Sequence, residues 1–197
     1  MTNMVITISR EYGSGGRQIG EQLAKELGFA FYDKDLLKIV AEKSGIKEEV
    51  LQKADEEAAN PLFAPYYPPH LDPGSLNDRV FKMQADLIKE KAASENCVIV
   101  GRCGNYVLED AENAVHVFIY ADEDAKVTRT MERHQISRDE AEKRIKKMDK
   151  QRRAYYQYYT EWKWARTEGF DIMLNSSALG VDATVAAIKA IVEAKMK

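Results

Sequence analysis

The chain has 197 residues, of which 45% are apolar and 31% charged, with a formal net charge of −3 at pH 7. That length suffices for one domain with a sizeable core, and the slight acidity argues against general nucleic-acid binding. No run of about 18 apolar residues is present, so no membrane span is expected.

Elements follow in chain order. "MVITIS" reads as a buried strand, and residues 16–27 as a helix with Ile19, Leu23, Ala24 and Leu27 on one face. "FAFYD" is a second short strand, and "KDLLKIVAEKSG" a helix closed by Gly45 at its C′ position. Another short helix is expected over 46–57. All five prolines fall between Pro61 and Pro73, which predicts an irregular loop over about 60–75. Phe63, Tyr66, Tyr67 and Leu71 within it argue for a packed loop rather than a free linker.

A helix is expected from Leu76 to about Ser94, then a strand ending in a glycine turn in "CVIVGRCG", and a strand near 114–121 in "AVHVFIYA". "DEDAKVTRTMERH" is helical, and the box "SRDE" at Ser137–Glu140 starts a further helix expected to run through "EWKWA". "FDIMLNSS" is a last strand, and residues 181–195 a helix with Val181, Val185, Ile188 and Val192 on one face. Five strands alternating with helices give an α/β fold with a mainly parallel sheet.

Charge is unevenly spread. Between Lys126 and Arg153 eleven Lys/Arg face five Asp/Glu, a balance of +6 that leaves −9 for the rest of the chain. A basic segment on an acidic body suggests a local anionic ligand, although a solvated helix laced with i,i+4 pairs accounts for most of these charges. The start of the chain shows no basic-then-apolar leader. Cys97 and Cys103 have neither metal-ligand nor disulfide-framework spacing, so a reducing cytoplasm is the expected location.

The chemistry concentrates at two turns. Gly13, Gly15 and Gly16 lie between the first strand and the first helix, where backbone N–H groups and a helix N-terminus form an anion site. A dinucleotide fingerprint starting at Gly13 fails at its sixth position, Gln18, yet Asp33 stands twenty residues on, where a ribose-binding carboxylate would be. One of Asp33 and Asp35 should cap the helix after the second strand, and the other should face the crevice. Arg102, between two glycines at the end of the third strand, is placed for a bidentate grip on phosphate. Arg152 and Arg153 alone could be plain solvated helix residues, and the tyrosines 155, 156, 158 and 159 form a stripe that more often packs than stacks on a base. The three histidines are scattered and suggest no metal site.

"ITISREYGSGGRQIG", "FYDKDLL", "VIVGRCGNYVL" and "FDIMLNSSALGVDATVAAI" together resemble the cytidylate kinase-like proteins, relatives of the P-loop nucleoside monophosphate kinases. The resemblance implies a P-loop NTPase-type five-stranded parallel sheet flanked by helices, in one domain over 1–197. It implies a monophosphate-binding helical region over about 35–95 and a basic helical lid over about 130–160. Gly13, Ser14, Gly15, Gly16, Arg17 and Gln18 then fall on the nucleotide-binding loop. Asp33 and Arg102 fall on the acceptor site, and Arg17, Arg152 and Arg153 on cations that steady the transferring phosphoryl group. ATP and Mg²⁺ are the implied cofactors, a nucleoside monophosphate such as CMP the implied acceptor.

The chain departs from that pattern in four places. Arg10 replaces the first loop glycine, Gly16 stands where the lysine belongs, Gln18 replaces the metal-binding Ser/Thr, and Cys103 follows Arg102 in place of aspartate. The missing charge is assigned to Arg17, with Arg10 as a second donor. These departures keep two competitors open: a non-catalytic nucleotide-binding module and a Rossmann-type dinucleotide oxidoreductase.

Overall fold

The computed structural model describes residues 3–58 and 75–197, so the expected proline-rich loop lies outside the described residues. Five strands form one sheet: β1 (Val5–Arg10), β2 (Ala30–Tyr32), β3 (Cys97–Val100), β4 (Ala114–Tyr120) and β5 (Ile172–Asn175). Every pairing is parallel and the spatial order is β2-β3-β1-β4-β5. Their apolar composition fits a sheet covered on both faces. Alternation along β1 divides the core. Ile6 and Ile8 face one layer, whereas Val5 faces the other.

The first layer contains α1 (Gly16–Leu27) and α8 (Ser176–Lys195). Ile19, Leu23, Val185, Ile188 and Val192 are buried there, as their helical spacing predicts. The second layer contains α2 (Asp35–Ser44), α3 (Glu48–Ala58) and α4 (Leu76–Ser94), with α5 (Gly104–Val107) at the end of β3. The remaining pair, α6 (Glu123–His134) and α7 (Arg138–Thr160), forms a hairpin with its own small core of Val127, Ala141 and Ile145. The expected capping box is present: Ser137 accepts from Glu140 N–H while the Glu140 carboxylate accepts from Ser137 N–H.

Three expectations need correction. The helix beginning at Ser137 stops at Thr160, short of "EWKWA", because Glu161 adopts a left-handed φ of 59° and Trp162 N–H turns back to the Thr160 hydroxyl. The indoles of Trp162 and Trp164 are thereby free to pack edge-on against Tyr106 and Phe118. Neither Asp33 nor Asp35 caps α2 through its side chain; Lys34 holds that position and Asp35 lies in the first turn. The oxidoreductase alternative also falls. A Rossmann sheet sets β1 beside β2, whereas here β3 lies between them.

Because all strands run the same way, their carboxyl ends share one edge, and the chain leaves that edge through Arg10, Asp33, Arg102 and Asn175. Among the described residues, no helix is long and apolar enough to cross a membrane.

Candidate active site

The turn after β1 is held from outside by its carbonyls. The Ser176 hydroxyl donates to the Ser14 carbonyl at 2.5 Å, and the Arg129 guanidinium donates to the Gly13 carbonyl at 3.3 Å and to the Ser176 hydroxyl at 3.2 Å. Gly13 takes φ 80° and passes so near α6 that a Cβ would lie 2.8 Å from the Lys126 carbonyl oxygen. Gly15, also at φ 80°, is the N-cap of α1, and no side chain caps that helix end. The first N–H groups of α1 and its partial positive charge are thus left for an anion.

Side chains frame the turn. The Lys126 ammonium pairs with Glu11 at 3.0 Å. The Tyr12 N–H donates to Asp149 Oδ1 at 2.7 Å, bringing α7 onto the turn. Burial raises the pKa of that carboxyl above its ordinary value, against the lowering effect of the Tyr12 N–H. Arg152 lies over the Tyr12 ring and donates to the Arg10 carbonyl at 3.1 Å.

Beside the turn a cavity of about 830 Å³ opens among the ends of β1 and β3, helices α2 and α3, and α7. Seven Lys/Arg and three Asp/Glu line it, with Tyr155, Tyr156 and Trp164 as an aromatic wall. Two successive non-glycine residues with left-handed φ, Arg102 at 54° and Cys103 at 53°, project the Arg102 side chain into it. Such strain persists only where surroundings over-determine it, and it concentrates at functional sites. The Arg102 guanidinium is ion-paired with Asp55 of α3.

Arg10 enters the same cavity from β1. Its guanidinium lies against Gly101, whose φ of 84° suits glycine and whose added Cβ would be 3.1 Å from the Arg10 Cζ. Asp33 approaches it at 3.8 Å, but that carboxylate already accepts from Arg17 Nε at 2.8 Å. Burial, and next the charge of Arg152, push the Arg10 pKa down to about 9.

Among the expected site residues, then, Asp33, Arg102 and Arg152 come together around the cavity. Gly13, Ser14, Gly15 and Gly16 build the turn beside it. Arg17 does not fold back toward the turn; it is half exposed, bonded to Asp33 and to Glu21 at 3.3 Å one helical turn on. Gln18 is exposed, and Arg153 is exposed with its guanidinium over the Trp164 ring. Asp55 and Asp149 were not anticipated, since each sits in a charge-rich helical stretch that gives no local signal. No group of three His, Cys, Asp or Glu suited to hold a metal occurs among the described residues.

The cytidylate kinase-like family model matches residues 5–178. No curated protein matches the sequence. An uncharacterized protein from Eubacterium ventriosum ATCC 27560 is similar at 29% identity and a TM-score of 0.74, covering 97% of this chain and 99% of that one. The shikimate kinase of Bacteroides thetaiotaomicron aligns at 15% identity and a TM-score of 0.57, over 96% of this chain and 98% of its own. A gluconokinase from Sinorhizobium meliloti 1021 aligns at 16% identity and a TM-score of 0.51, over 98% and 95% of the two chains. These likenesses show the P-loop kinase fold, and the family match covers most of the sequence: the chain belongs to the cytidylate kinase-like family.

Proposed function

We propose that this protein transfers the γ-phosphoryl group of ATP to a small anionic acceptor, a nucleoside monophosphate such as CMP. The observation that carries this reading is the convergence of Arg10, Arg102 and Arg152 in one cavity beside an uncapped, glycine-rich helix start. Phosphoryl transfer asks a protein mainly for positioning and for neutralisation of charge. An acceptor phosphate oxygen forms a bond to Pγ while the bond from Pγ to the β,γ-bridging oxygen breaks, and ADP leaves with that electron pair. Because the acceptor oxygen is already anionic, no general base is required.

In this assignment the turn Gly13–Gly16 cradles the donor phosphates, Arg102 and Asp33 belong to the acceptor side, and Arg152 spans the two. Mg²⁺ fits as a metal carried by the triphosphate, which supplies charge neutralisation when bound. Asp149, held against the turn by the Tyr12 N–H and 3.7 Å from Arg152, would be a carboxylate at hand to meet such a metal.

The absence of lysine at Gly16, and of Ser or Thr at the position directly after it, which is Arg17 rather than the exposed Gln18, favours one competing reading, a module that binds nucleotide without turning it over. A coupled ATP-consumption assay across nucleoside monophosphates, with shikimate and gluconate as comparison acceptors, separates the two. CMP-dependent ADP formation is expected. ATP binding with no turnover on any acceptor would establish the non-catalytic module, and failure to bind ATP would remove both.

A further inference from the structure

We propose that Arg10, at the end of β1, is the cation that contacts the transferring phosphoryl group, in place of the lysine that ordinarily follows the last glycine of a phosphate loop. This rests on the phosphotransferase reading above. In the pattern G-x-x-x-x-G-K-[ST], Arg10 holds the first glycine's position and Gly16 holds the lysine's. The structure makes these two departures one exchange. A Cβ on Gly16 would lie 2.6 Å from the Arg10 Cβ and 3.0 Å from its Cγ. The stem of Arg10 therefore fills the space through which a side chain at position 16 would leave the backbone. Arginine at 10 requires glycine at 16, and lysine at 16 would require glycine at 10, since the obstacle is the Cβ of residue 10 itself.

The charge is moved across the turn and kept. From a stem over the start of α1, the guanidinium reaches Gly101 at the end of β3, next to Arg102. It thus bridges the donor cradle and the acceptor side, where the shifting phosphoryl charge must be met. Arg17, the other candidate, has its charge matched by Asp33 and Glu21 on the half-exposed first turn of α1. Arg10 shares Asp33 with Arg17 at the longer distance of 3.8 Å, with Asp149 only a weaker second carboxylate, and has Arg102 and Arg152 as like-charged neighbours. A partly buried cation in such company is costly until an anion joins it. During transfer Arg10 keeps its proton and only neutralises, as the acceptor O–Pγ bond forms and the Pγ–O bond to ADP breaks.

Arg10→Met, Arg10→Lys and Arg17→Met in the full chain provide the test, read as ATP affinity by calorimetry and as melting temperature without ligand. Methionine and lysine keep the stem that packs over Gly16. Arg10→Met is expected to weaken ATP binding ten-fold or more, Arg10→Lys to recover part of that loss, and Arg17→Met to change it less than three-fold. The melting temperature of Arg10→Met without ligand should match or exceed that of the wild type, because an under-matched, partly buried charge has been removed. An affinity for Arg10→Met within three-fold of wild type, or a loss in Arg17→Met as large, would overturn the assignment while leaving the kinase reading intact. Failure of Arg10→Met to fold would make Arg10 structural and overturn it equally, and a wild type that does not bind ATP would overturn both.

Discussion

The reciprocity of residues 10 and 16 can be measured without any ligand. In Gly16→Ala the new methyl meets the Arg10 Cβ at 2.6 Å and the Ile119 Cβ at 3.4 Å. Neither neighbour is the loose end of a side chain: both Cβ atoms are fixed to paired central strands, Arg10 opposite Ile119 in the register of β1 and β4. Overpacking of this kind costs roughly 1–3 kcal/mol. Against it stands the helical preference of alanine over glycine, at most about 1 kcal/mol, since Gly16 itself has no positive φ to lose. Taken in full, that preference leaves a net loss of about 0–2 kcal/mol, or a fall in melting temperature of up to about 8 °C for a domain of this size. In an Arg10→Gly background the obstacle is gone, so the same Gly16→Ala change should be neutral or stabilising, giving a coupling of about 2 kcal/mol between the sites. Denaturant unfolding of wild type, the two single variants and the double variant closes the cycle. Additive effects within about 0.5 kcal/mol would refute the exchange of the two positions.

Further outcomes follow from the same geometry. Asp55→Ala leaves the Arg102 guanidinium without its ion-pair partner in a largely buried position and should cost about 2 kcal/mol, below the 3–5 kcal/mol of a fully enclosed pair because the cavity admits water; equal unfolding midpoints for variant and wild type would show that the pair contributes nothing. Sulfate should raise the melting temperature of the wild type by mass action at the arginine cluster, and this gain should be lost in Arg10→Met; an identical gain in both would place the anion elsewhere. Burial pushes the Cys97 thiol up from its ordinary value near 9 to about 12, so the folded state retains a proton that the unfolded chain releases. The stability this contributes is whole below pH 9 and declines as the pH rises toward 12; unfolding at pH 8 and 10 should show a steeper decline in wild type than in Cys97→Ala, and parallel declines would refute it.

What the sequence made legible was what short-range chemistry decides. Strand periodicity, the Ser137 capping box, the glycine end of α2 and the valine stripe of α8 are each written within a dozen residues, and each is present. Arg102 was legible because an arginine between glycines at a strand end has no packing reason to be there. The end of α7 was not, because it depends on where two indoles find partners, on residues 106 and 118, far away in the chain.

The same distinction governs the charges of the candidate site. Read along the chain, Arg17 is the obvious heir to the lysine, one residue late in the helix. Only the folded turn reveals that Asp33, sixteen residues on, bonds Arg17 first, and that the stem of Arg10 closes the route a side chain at position 16 would take. Spacing names the residues that can reach an anion. Which of them keeps a charge unmatched, and therefore has most to gain from one, is decided by carboxylates brought in from other elements. Here Asp33 comes from the end of β2 and Asp55 from α3, and between them they engage Arg17 and Arg102 closely. Arg10 is left with the longer contact and the like-charged neighbours, which makes it the side chain whose environment a phosphoryl group would improve most.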